Sequence, residues 1–281
     1  MADKQDFHPM DNVLRMDRIP HIWCPSCGIG IAVSALAAAL EKSGIDMNNV
    51  AIVSGIGCTG RVAGYVKADS FHTTHGRGIA FATGIKLGNP KLKVIVVSGD
   101  GDLISIGGNH FIHAARRNID MMVLCVNNFI YAMTGGQVAP TTPLGAYATT
   151  SPFGCVEPPY NIPYLAESAG AVYVARWTVL HARRLTNSIT EALNKPGFSV
   201  IEAISPCAMY YSRINKLGDG LTMMKFYHDN SEVRNWEDTK NLDIGFQTKI
   251  VMGKFVDRER PTYTESYNKW LSEIREAKNQ T

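Results

Sequence analysis

Residues 91–137 read KLKVIVVSGDGDLISIGGNHFIHAARRNIDMMVLCVNNFIYAMTGGQ, and their pattern decides the fold. The apolar, β-branched run at 94–97 predicts a parallel strand that is buried on both faces and ended by the glycines and aspartates at 99–102. A helix is expected to begin near Ser105, and a second apolar strand at 121–126 ends at two asparagines. Parallel strands joined by a crossover helix bring both polar ends to the carboxyl edge of one sheet, where open α/β sheets bind ligands.

Asp100 and Asn128 would then face a common site at that edge. A carboxylate and an amide carbonyl are oxygen ligands that suit Mg²⁺, which keeps phosphate oxygens and water in its shell. The glycines beside Asp100 let backbone N–H groups approach a phosphate, and the N-terminus of the following helix adds a favourable dipole. An ordinary strand-to-helix turn is the alternative for GDGD alone, but the polar end of the second strand argues against it. The stretch therefore predicts a magnesium–diphosphate site.

The composition indicates a chain with a large core and buried interfaces. Its 281 residues have room for one large α/β domain or two small ones, and 45% hydrophobic residues are enough for a substantial core. The charged fraction of 19% is modest for a free monomer. A net charge of +3 spread over scattered Lys and Arg residues argues against a nucleic-acid partner. Neither a signal peptide nor a long uncharged apolar span is evident, so we expect a cytoplasmic protein with no membrane partner.

Four of the six cysteines lie where thiolates can converge. Cys24 and Cys27 form a CPSC turn before an alanine-rich helix, and Cys58 and Cys207 each follow a predicted strand. In a chain of this kind we expect the cysteines to be metal ligands, reactive thiols or packed core residues rather than disulfides. Four thiolates fit structural zinc and a [4Fe–4S] cluster equally well, and their spacing does not choose between them.

The other two cysteines are expected outside that site. Cys125 lies in the middle of the strand MMVLCV, which is typical of a packed core residue. Cys155 lies in a long irregular stretch at 129–163 and is expected to be a spare thiol. A loop of this length inside a compact domain is typical of a functional segment or an interface.

The rest of the chain continues the α/β pattern as far as Asn215. After that residue, charged and aromatic residues replace apolar runs, so we expect a C-terminal tail that either contacts a partner subunit or is partly disordered. The predicted fold class is α/β, with a mostly parallel sheet and helices on both faces. Helices are predicted at 28–42, 78–87, 162–169, 179–193 and 263–277, and further strands at 50–53, 172–175 and 198–204. The predicted organisation is an N-terminal extension at 1–20, one α/β domain at 21–215 and the tail at 216–281.

Four motifs of this chain occur together: HIWCPSCG at 21–28, SGIGCTGR at 54–61, HTTHGRGIAFATGIKLGNP at 72–90, and the stretch from GDGD to TGGQ at 99–137. GDG followed some two dozen residues later by NN resembles the thiamine diphosphate signature. Together the four motifs resemble the β subunits of the 2-oxoacid:ferredoxin oxidoreductases over about residues 18–215. The resemblance implies a thiamine diphosphate-binding fold of the type that holds the diphosphate side of the cofactor.

The resemblance also implies the ligands of the cofactors. It implies a [4Fe–4S] cluster on Cys24, Cys27, Cys58 and Cys207, with Ser26 standing where the family commonly has glycine. The Mg²⁺ ligands that it implies are the side chains of Asp100 and Asn128 and the backbone carbonyl of Ile130. The residues expected to contact thiamine diphosphate are Gly57, Cys58, His75, Gly99, Asp100, Gly101, Asp102, Asn128, Ile130 and Thr134.

Two side chains are candidates for a catalytic role. His75, in the HGR element, is expected to contact the thiamine, whereas His72 stays open between a catalytic role and ordering of the turn. Some relatives carry lysine instead of the first glycine of TGGQ, and that lysine is implicated in recognition of the substrate carboxylate. Gly135 occupies that position here. We therefore expect Arg61 to be the anion-binding side chain.

The resemblance implies an enzyme that is incomplete without a partner. Thiamine catalysis needs a carboxylate, usually glutamate, against the aminopyrimidine ring. The chain has room for only one thiamine-binding domain, so an α subunit is expected to supply the pyrimidine-side domain and that glutamate, in a hetero-oligomer such as (αβ)₂ or larger. The implied reaction is coenzyme A-dependent oxidative decarboxylation of a 2-oxoacid, or its reversal, with electrons passing through the cluster to ferredoxin.

The substrate and two other function classes remain open at this point. HIWCPSCG, and TGGQ together with PTTP, look most like the members that act on 2-oxoglutarate, with pyruvate and branched-chain 2-oxoacids as alternatives. A zinc-binding scaffold without catalytic activity would use the same four cysteines. A non-oxidative thiamine decarboxylase or synthase would need no cluster, so those cysteines argue against it.

Overall fold

The computed structural model describes residues 9–279, and a sheet of eight strands lies at its centre. The strands follow the order β2-β1-β3-β4-β8-β7-β10-β9 across this sheet, and β5 and β6 form a separate hairpin. All neighbours in the large sheet are parallel except β7 and β10. The strands are β1 Val50–Ser54, β2 Asp69–His72, β3 Lys93–Gly99, β4 Met121–Asn127, β5 Ile130–Tyr131, β6 Gln137–Val138, β7 Tyr173–Thr178, β8 Phe198–Ile204, β9 Ser231–Val233 and β10 Ile250–Asp257.

Helices cover both faces of the sheet, as the fold class predicted. They are α1 Ile29–Ser43, α2 Gly78–Gly88, α3 Gly108–Arg117, α4 Ile162–Ala169, α5 Ala182–Asn194, α6 Gly220–Asn230 and α7 Tyr263–Asn279. Ile95 and Val97 of β3 join the core formed with α1 and α5, whereas Val94 and Val96 join the core formed with α2, α3 and α4. Because successive side chains of a strand point to opposite faces, this strand had to be apolar throughout.

Most of the predicted elements are confirmed within two residues, whereas β7 ends three residues later than predicted and two helices begin late. The prediction of a helix start near Ser105 is wrong, because α3 begins at Gly108. A π-helical turn over Gly101–Ile106 comes first, in which the N–H of Gly107 donates to the carbonyl of Asp102 over 3.0 Å. Such turns are wider than an α-helix and are frequent at functional sites. Helix α5 likewise starts later than expected, after a 3₁₀ turn at Val179–His181.

The segment after Asn215 contributes more to the fold than the sequence indicated. Strand β10 pairs antiparallel with β7, and its inward side chains are buried. The sequence analysis missed β9, β10 and α6, since none of them carries a long apolar run. The predicted C-terminal helix is present as α7, and it has no buried residue. That this helix contacts a partner subunit stays a prediction.

The N-terminal extension is only partly visible. Residues 1–8 lie outside the described part of the chain, whereas Val13 and Leu14 are buried and Leu14 pairs with Val66. Within residues 9–279, no helix has the length and apolar character needed to cross a membrane.

Candidate cofactor site

A cleft of about 100 Å³ lies at the carboxyl ends of β1, β3 and β4. Its position follows from the parallel register of these strands, which brings the residues after each strand to one edge of the sheet. The lining includes every residue predicted to contact thiamine diphosphate: Gly57, Cys58, His75, Gly99, Asp100, Gly101, Asp102, Asn128, Ile130 and Thr134. Ile56, Thr59, Tyr131, Ala132 and Met133 complete it.

Asp100 is a buried carboxylate at the base of the cleft. Its Oδ2 accepts a hydrogen bond from the hydroxyl of Thr141, and the backbone N–H groups of Gly101 and Asn128 also favour its ionised form. Burial outweighs these hydrogen bonds and raises the pKa of Asp100 to about 6. A cation beside this carboxylate would relieve the cost of burying its charge.

The loop after β4 presents Asn128 from the opposite side. Its Oδ1 accepts the N–H of Ile130 over 3.3 Å, which turns the side chain toward the loop backbone. Phe129 has a left-handed backbone with φ of 65°, a conformation that costs free energy in any residue other than glycine. The hydroxyl of Thr142 donates to the carbonyl of Phe129 over 2.6 Å and helps to hold this turn.

Asp102 connects three loops around the cleft. One of its oxygens accepts the N–H of Gly76 over 2.7 Å and the N–H of Ile56 over 3.2 Å. The other accepts the hydroxyl of Ser98 over 2.7 Å. The Nδ1 of His75 also contacts this carboxylate, which favours a proton on Nδ1 and directs Nε2 away from Asp102. The Asp102 side chain therefore organises the rim of the cleft.

Two glycines of the site allow close approaches that a side chain would block. A Cβ at Gly101 would lie 2.3 Å from the ring of Tyr131, whose hydroxyl donates to the Gly101 carbonyl over 3.0 Å. A Cβ at Gly55 would lie 1.8 Å from Oδ2 of Asp102. Tyr131 and Asp102 can therefore pack against this backbone only because these positions lack a Cβ.

A second cavity, of about 190 Å³, adjoins the cleft and contains the four predicted cluster ligands Cys24, Cys27, Cys58 and Cys207 in its lining. It shares Cys58, Asn128, Ala132 and Met133 with the cleft. The indole N–H of Trp23 donates to the carbonyl of Cys58 over 2.7 Å and ties the CPSC turn to the loop after β1. We refer to this space as the cysteine cavity.

Two thiols of the cysteine cavity, those of Cys27 and Cys58, have raised pKa values. Burial raises the pKa of Cys27 to about 12, and the neighbouring thiolates of Cys207, Cys58 and Cys24 add to the increase. Burial and the thiolates of Cys207 and Cys24 also raise the pKa of Cys58. Among residues 9–279, no three His, Cys, Asp or Glu side chains are arranged to bind one metal ion. A [4Fe–4S] cluster makes a different demand, since each thiolate binds its own iron.

Comparisons with known proteins agree on one family. The model of the thiamine pyrophosphate enzymes, C-terminal TPP-binding domain, matches residues 48–203. The 2-oxoglutarate synthase subunit KorB of Methanothermobacter thermautotrophicus is 50% identical over 258 residues, covering 92% of this chain and 90% of that protein. The subunit of the same name from Methanocaldococcus jannaschii is 47% identical over 269 residues, covering 95% and 99%.

The chain belongs to the β subunits of the 2-oxoacid:ferredoxin oxidoreductases. A solved structure of 2-oxoglutarate:ferredoxin oxidoreductase from Magnetococcus marinus, with 2-oxoglutarate, coenzyme A and succinyl-CoA bound, has a TM-score of 0.84 and 30% identity. The match covers 99% of this chain and 93% of that one. Fold class and family, both predicted from the sequence, are confirmed.

Of the remaining candidates of this oxidoreductase subunit, only Thr134 lies in the lining of the cleft. Arg61 is exposed and lines the cysteine cavity. His72 is the exposed last residue of β2, and Arg77 is exposed with a 3.5 Å contact to the carbonyl of Ile106. Thr134 lines the cleft, and its hydroxyl donates to the side chain of Gln137 over 2.7 Å.

Three residues that shape the oxidoreductase site were missed. Thr141 bonds Asp100, Tyr131 packs on Gly101, and Asn127 accepts the N–H of Phe129 over 3.0 Å. Thr141 lies in PTTP and Asn127 in NN, so both were within motifs that the sequence singled out. Their roles depend on contacts between loops, and the motif spacing does not contain that information.

Proposed function

We propose that this chain is the β subunit of a coenzyme A-dependent 2-oxoglutarate:ferredoxin oxidoreductase that holds thiamine diphosphate, Mg²⁺ and a [4Fe–4S] cluster. The observation that carries the proposal is that the cleft and the cysteine cavity share a wall containing Cys58 and Asn128. Cofactors in these two spaces would be adjacent, as electron transfer between them requires. The Magnetococcus marinus relative, in which 2-oxoglutarate and coenzyme A are bound, supports the choice of substrate.

The cleft has the chemistry that a magnesium diphosphate needs. Asp100 and Asn128 offer side-chain oxygens, and the carbonyl of Ile130 is the proposed third protein ligand. The buried carboxylate of Asp100, with its raised pKa, gains most from a neighbouring cation. The backbone N–H groups of Gly101 and Asp102 are the proposed diphosphate contacts, and Gly101 is free of the Cβ that would crowd them.

The cysteine cavity suits an iron–sulfur cluster for a related reason. Burial and the negative charge of neighbouring thiolates disfavour ionisation of Cys27 and Cys58, so a cationic metal centre would stabilise their ionised forms. All six cysteines are free, which fits a reducing compartment such as the cytoplasm. We propose Cys24, Cys27, Cys58 and Cys207 as the four ligands.

The proposed roles of the chain's own side chains are to bind and orient the cofactors and the substrate and to exclude water from the site. When bound, thiamine diphosphate supplies the carbanion chemistry by which a 2-oxoacid loses CO₂, and the cluster supplies a one-electron acceptor. Asp102 holds His75 at the rim of the cleft through Nδ1, so Nε2 is the ring nitrogen that Asp102 leaves free to contact the cofactor. Arg61, beside the shared wall, is the proposed anion-binding side chain for the substrate.

Two partners complete the proposed enzyme. An α subunit would supply the pyrimidine-side domain and its glutamate, consistent with the name of the relatives as subunits of a synthase. Ferredoxin would receive or deliver electrons through the cluster, in an assembly of (αβ)₂ or larger. Pyruvate and branched-chain 2-oxoacids are the alternative substrates.

Anaerobic purification of the chain with its co-purifying subunit tests this function. Iron, sulfide, zinc and thiamine are measured, and the visible spectrum is recorded before and after addition of coenzyme A with 2-oxoglutarate or with pyruvate. We expect four irons and one thiamine per chain, and bleaching with 2-oxoglutarate. Zinc without iron or thiamine would instead identify a scaffold, and bleaching with pyruvate alone would reassign the substrate.

A further inference from the structure

A buried ion pair crosses the sheet below the two cofactor sites. Arg176 of β7 and Glu202 of β8 are partners in the strand register, and Nε of Arg176 lies 2.6 Å from Oε2 of Glu202. Both side chains are 1% exposed. A further N–H of the Arg176 guanidinium donates to the carbonyl of Leu242 over 2.7 Å, which connects the pair to the C-terminal segment.

Glu202 orients the side chain of Asn127 at the end of β4. Its second oxygen, Oε1, accepts a hydrogen bond from Nδ2 of Asn127 over 2.7 Å. The amide oxygen of Asn127 in turn accepts the N–H of Phe129 over 3.0 Å. The Asn127 amide thus donates to Glu202 and accepts from Phe129, and only one orientation of the side chain makes both hydrogen bonds.

Asn127 also reaches toward the cysteine cavity. Its backbone carbonyl accepts the N–H of Ser205 over 2.9 Å, two residues before Cys207. The residues that follow Asn127 carry the proposed Mg²⁺ ligands, and Phe129 among them has a strained left-handed backbone. The same asparagine therefore contacts both segments that approach the shared wall.

We propose that Arg176 and Glu202 are positioning residues that hold Asn127, and through it the loop at 128–130 and the segment at 205–207, in one relative arrangement. Stability alone does not account for the pair, because replacing a buried ion pair by apolar residues is often neutral or stabilising. Glu202 accepts a hydrogen bond from Asn127, and Asn127 in turn bonds the loops that would ligate Mg²⁺ and the cluster. This connection gives the pair a specific role. This inference rests on the proposed function of those two loops.

Swapping the carboxylate of Glu202 and the amide of Asn127 tests whether their hydrogen bond positions the two loops. In Glu202→Gln, one hydrogen bond to Asn127 or Arg176 is lost, because the amide that replaces the carboxylate has a single acceptor oxygen and cannot accept from both. In Asn127→Asp, two carboxylates face each other. The double variant N127D/E202Q again has one carboxylate and one amide, with donor and acceptor exchanged. We expect each single substitution in the full chain to weaken Mg²⁺–thiamine diphosphate binding about 10–100-fold, as loss of a partner of a metal ligand does, and the double variant to recover most of that loss.

Hydrogen exchange of the metal-free, cofactor-free chain provides an independent readout. Amides at 128–131 and 205–207 should exchange faster in both single variants and return toward the wild-type rate in the double variant. Asp120→Asn is the matched control, since Asp120 forms an ion pair of 2.6 Å with the buried Lys86 at the other end of β4. It should leave exchange at both segments and cofactor affinity unchanged, whatever it does to overall stability.

Several outcomes would overturn the inference. One is unchanged hydrogen exchange at both segments in the single variants. Another is a double variant whose exchange rates and cofactor affinity are no closer to wild type than those of the single variants. A third is an equal effect of Asp120→Asn on exchange at both segments. If Glu202→Gln does not fold, Asn127→Ala leaves the ion pair intact and must by itself speed exchange at 128–131. A wild-type chain that binds no thiamine diphosphate contradicts the proposed function, whereas the exchange rates still decide the role of the pair.

Discussion

The cleft and the cysteine cavity adjoin each other, yet they are built in different ways. The base of the cleft comes from two neighbouring strand ends, and Asp100 and Asp102 receive hydrogen bonds from the surrounding loops. The cysteines of the cysteine cavity come from three distant segments, and burial and repulsion by the neighbouring thiolates raise the pKa of Cys27 and Cys58. The difference implies that the protein fixes the first site itself, whereas the second would be completed by the proposed cluster.

Removal of one cysteine should separate the two sites most clearly. Cys207→Ala is expected to abolish the visible absorbance of the cluster, because four thiolates hold a [4Fe–4S] centre, while thiamine content stays unchanged. Cys155→Ala is the control, since Cys155 is also buried but lies outside the cysteine cavity. Iron and thiamine analysis of both variants provides the check. Loss of absorbance in the control, or its persistence in Cys207→Ala, would contradict the ligand assignment.

The reciprocal change is Asp100→Asn. It removes the charge that Mg²⁺ needs, so affinity for Mg²⁺–thiamine diphosphate should fall on the order of 100-fold, given that even partners of metal ligands contribute about 10–100-fold. The cluster spectrum should be unaffected. Titration calorimetry of the full chain measures the affinity, and retained thiamine would show that Asp100 does not bind the metal.

The same substitution should have the opposite effect on the stability of the metal-free chain. The folded pKa of Asp100 is about 6, above the ordinary 3.8, so the folded chain binds this proton more tightly than the unfolded chain does. The cost of the buried charge is therefore absent at low pH, grows between these two values and is complete above pH 6. Asp100→Asn should raise the free energy of unfolding at pH 8 by about 1–3 kcal/mol, and by much less at pH 4.5.

Denaturant unfolding at both pH values measures this difference. Asp257→Asn is a control with the opposite sign. Burial raises the pKa of Asp257, but hydrogen bonds and ion pairs with Lys195 and Lys254 lower it by more. The pKa of Asp257 in the folded chain is therefore below its ordinary value. Its loss should therefore destabilise the chain at pH 8. A destabilising Asp100→Asn at that pH would mean that the carboxylate is satisfied without a cation.

The smallest expected effect concerns the turn that carries two of the cysteines. Ser26 has φ of 68°, a left-handed conformation that favours glycine, and a Cβ at Gly220 would lie 2.1 Å from the Cβ of Ser26. Gly220→Ala should cost about 1–3 kcal/mol of unfolding free energy through overpacking. In a Ser26→Gly background the cost should be smaller, because the obstructing Cβ is gone. Ser26→Gly alone should change stability by less than about 1 kcal/mol, as relief of strain and the added freedom of the unfolded chain oppose each other.

Thermal or denaturant unfolding of the four proteins in this cycle measures the coupling. An equal cost of Gly220→Ala in both backgrounds would show that α6 and the CPSC turn are independent. A coupled result would show that the C-terminal segment supports the cysteine turn, a contact that the sequence did not reveal.

The candidate site was predictable where it depends on short segments. The apolar runs of β3 and β4 placed Asp100 and Asn128 at one edge of the sheet, and the cysteine-bearing turns were correctly placed beside element ends. Tertiary contacts determined the rest. The sequence analysis placed Asp102 among the contacts of thiamine diphosphate but did not reveal that its side chain connects three loops and holds His75. Strand β10 was missed because its apolar residues are interrupted, and pairing with β7 rather than its own composition makes it a strand.

The sequence by itself determined the α/β class, the family, and the residues that line the cleft, because a buried parallel strand needs an unbroken apolar run and a phosphate site needs glycine. Only the tertiary structure decided which residues hold these groups in place. Hydrogen bonds such as Asn127 to Glu202 and Thr141 to Asp100 join residues that are distant in the chain. Their partners are selected by the packing of strands and loops, and that packing is not encoded in the spacing of any one motif.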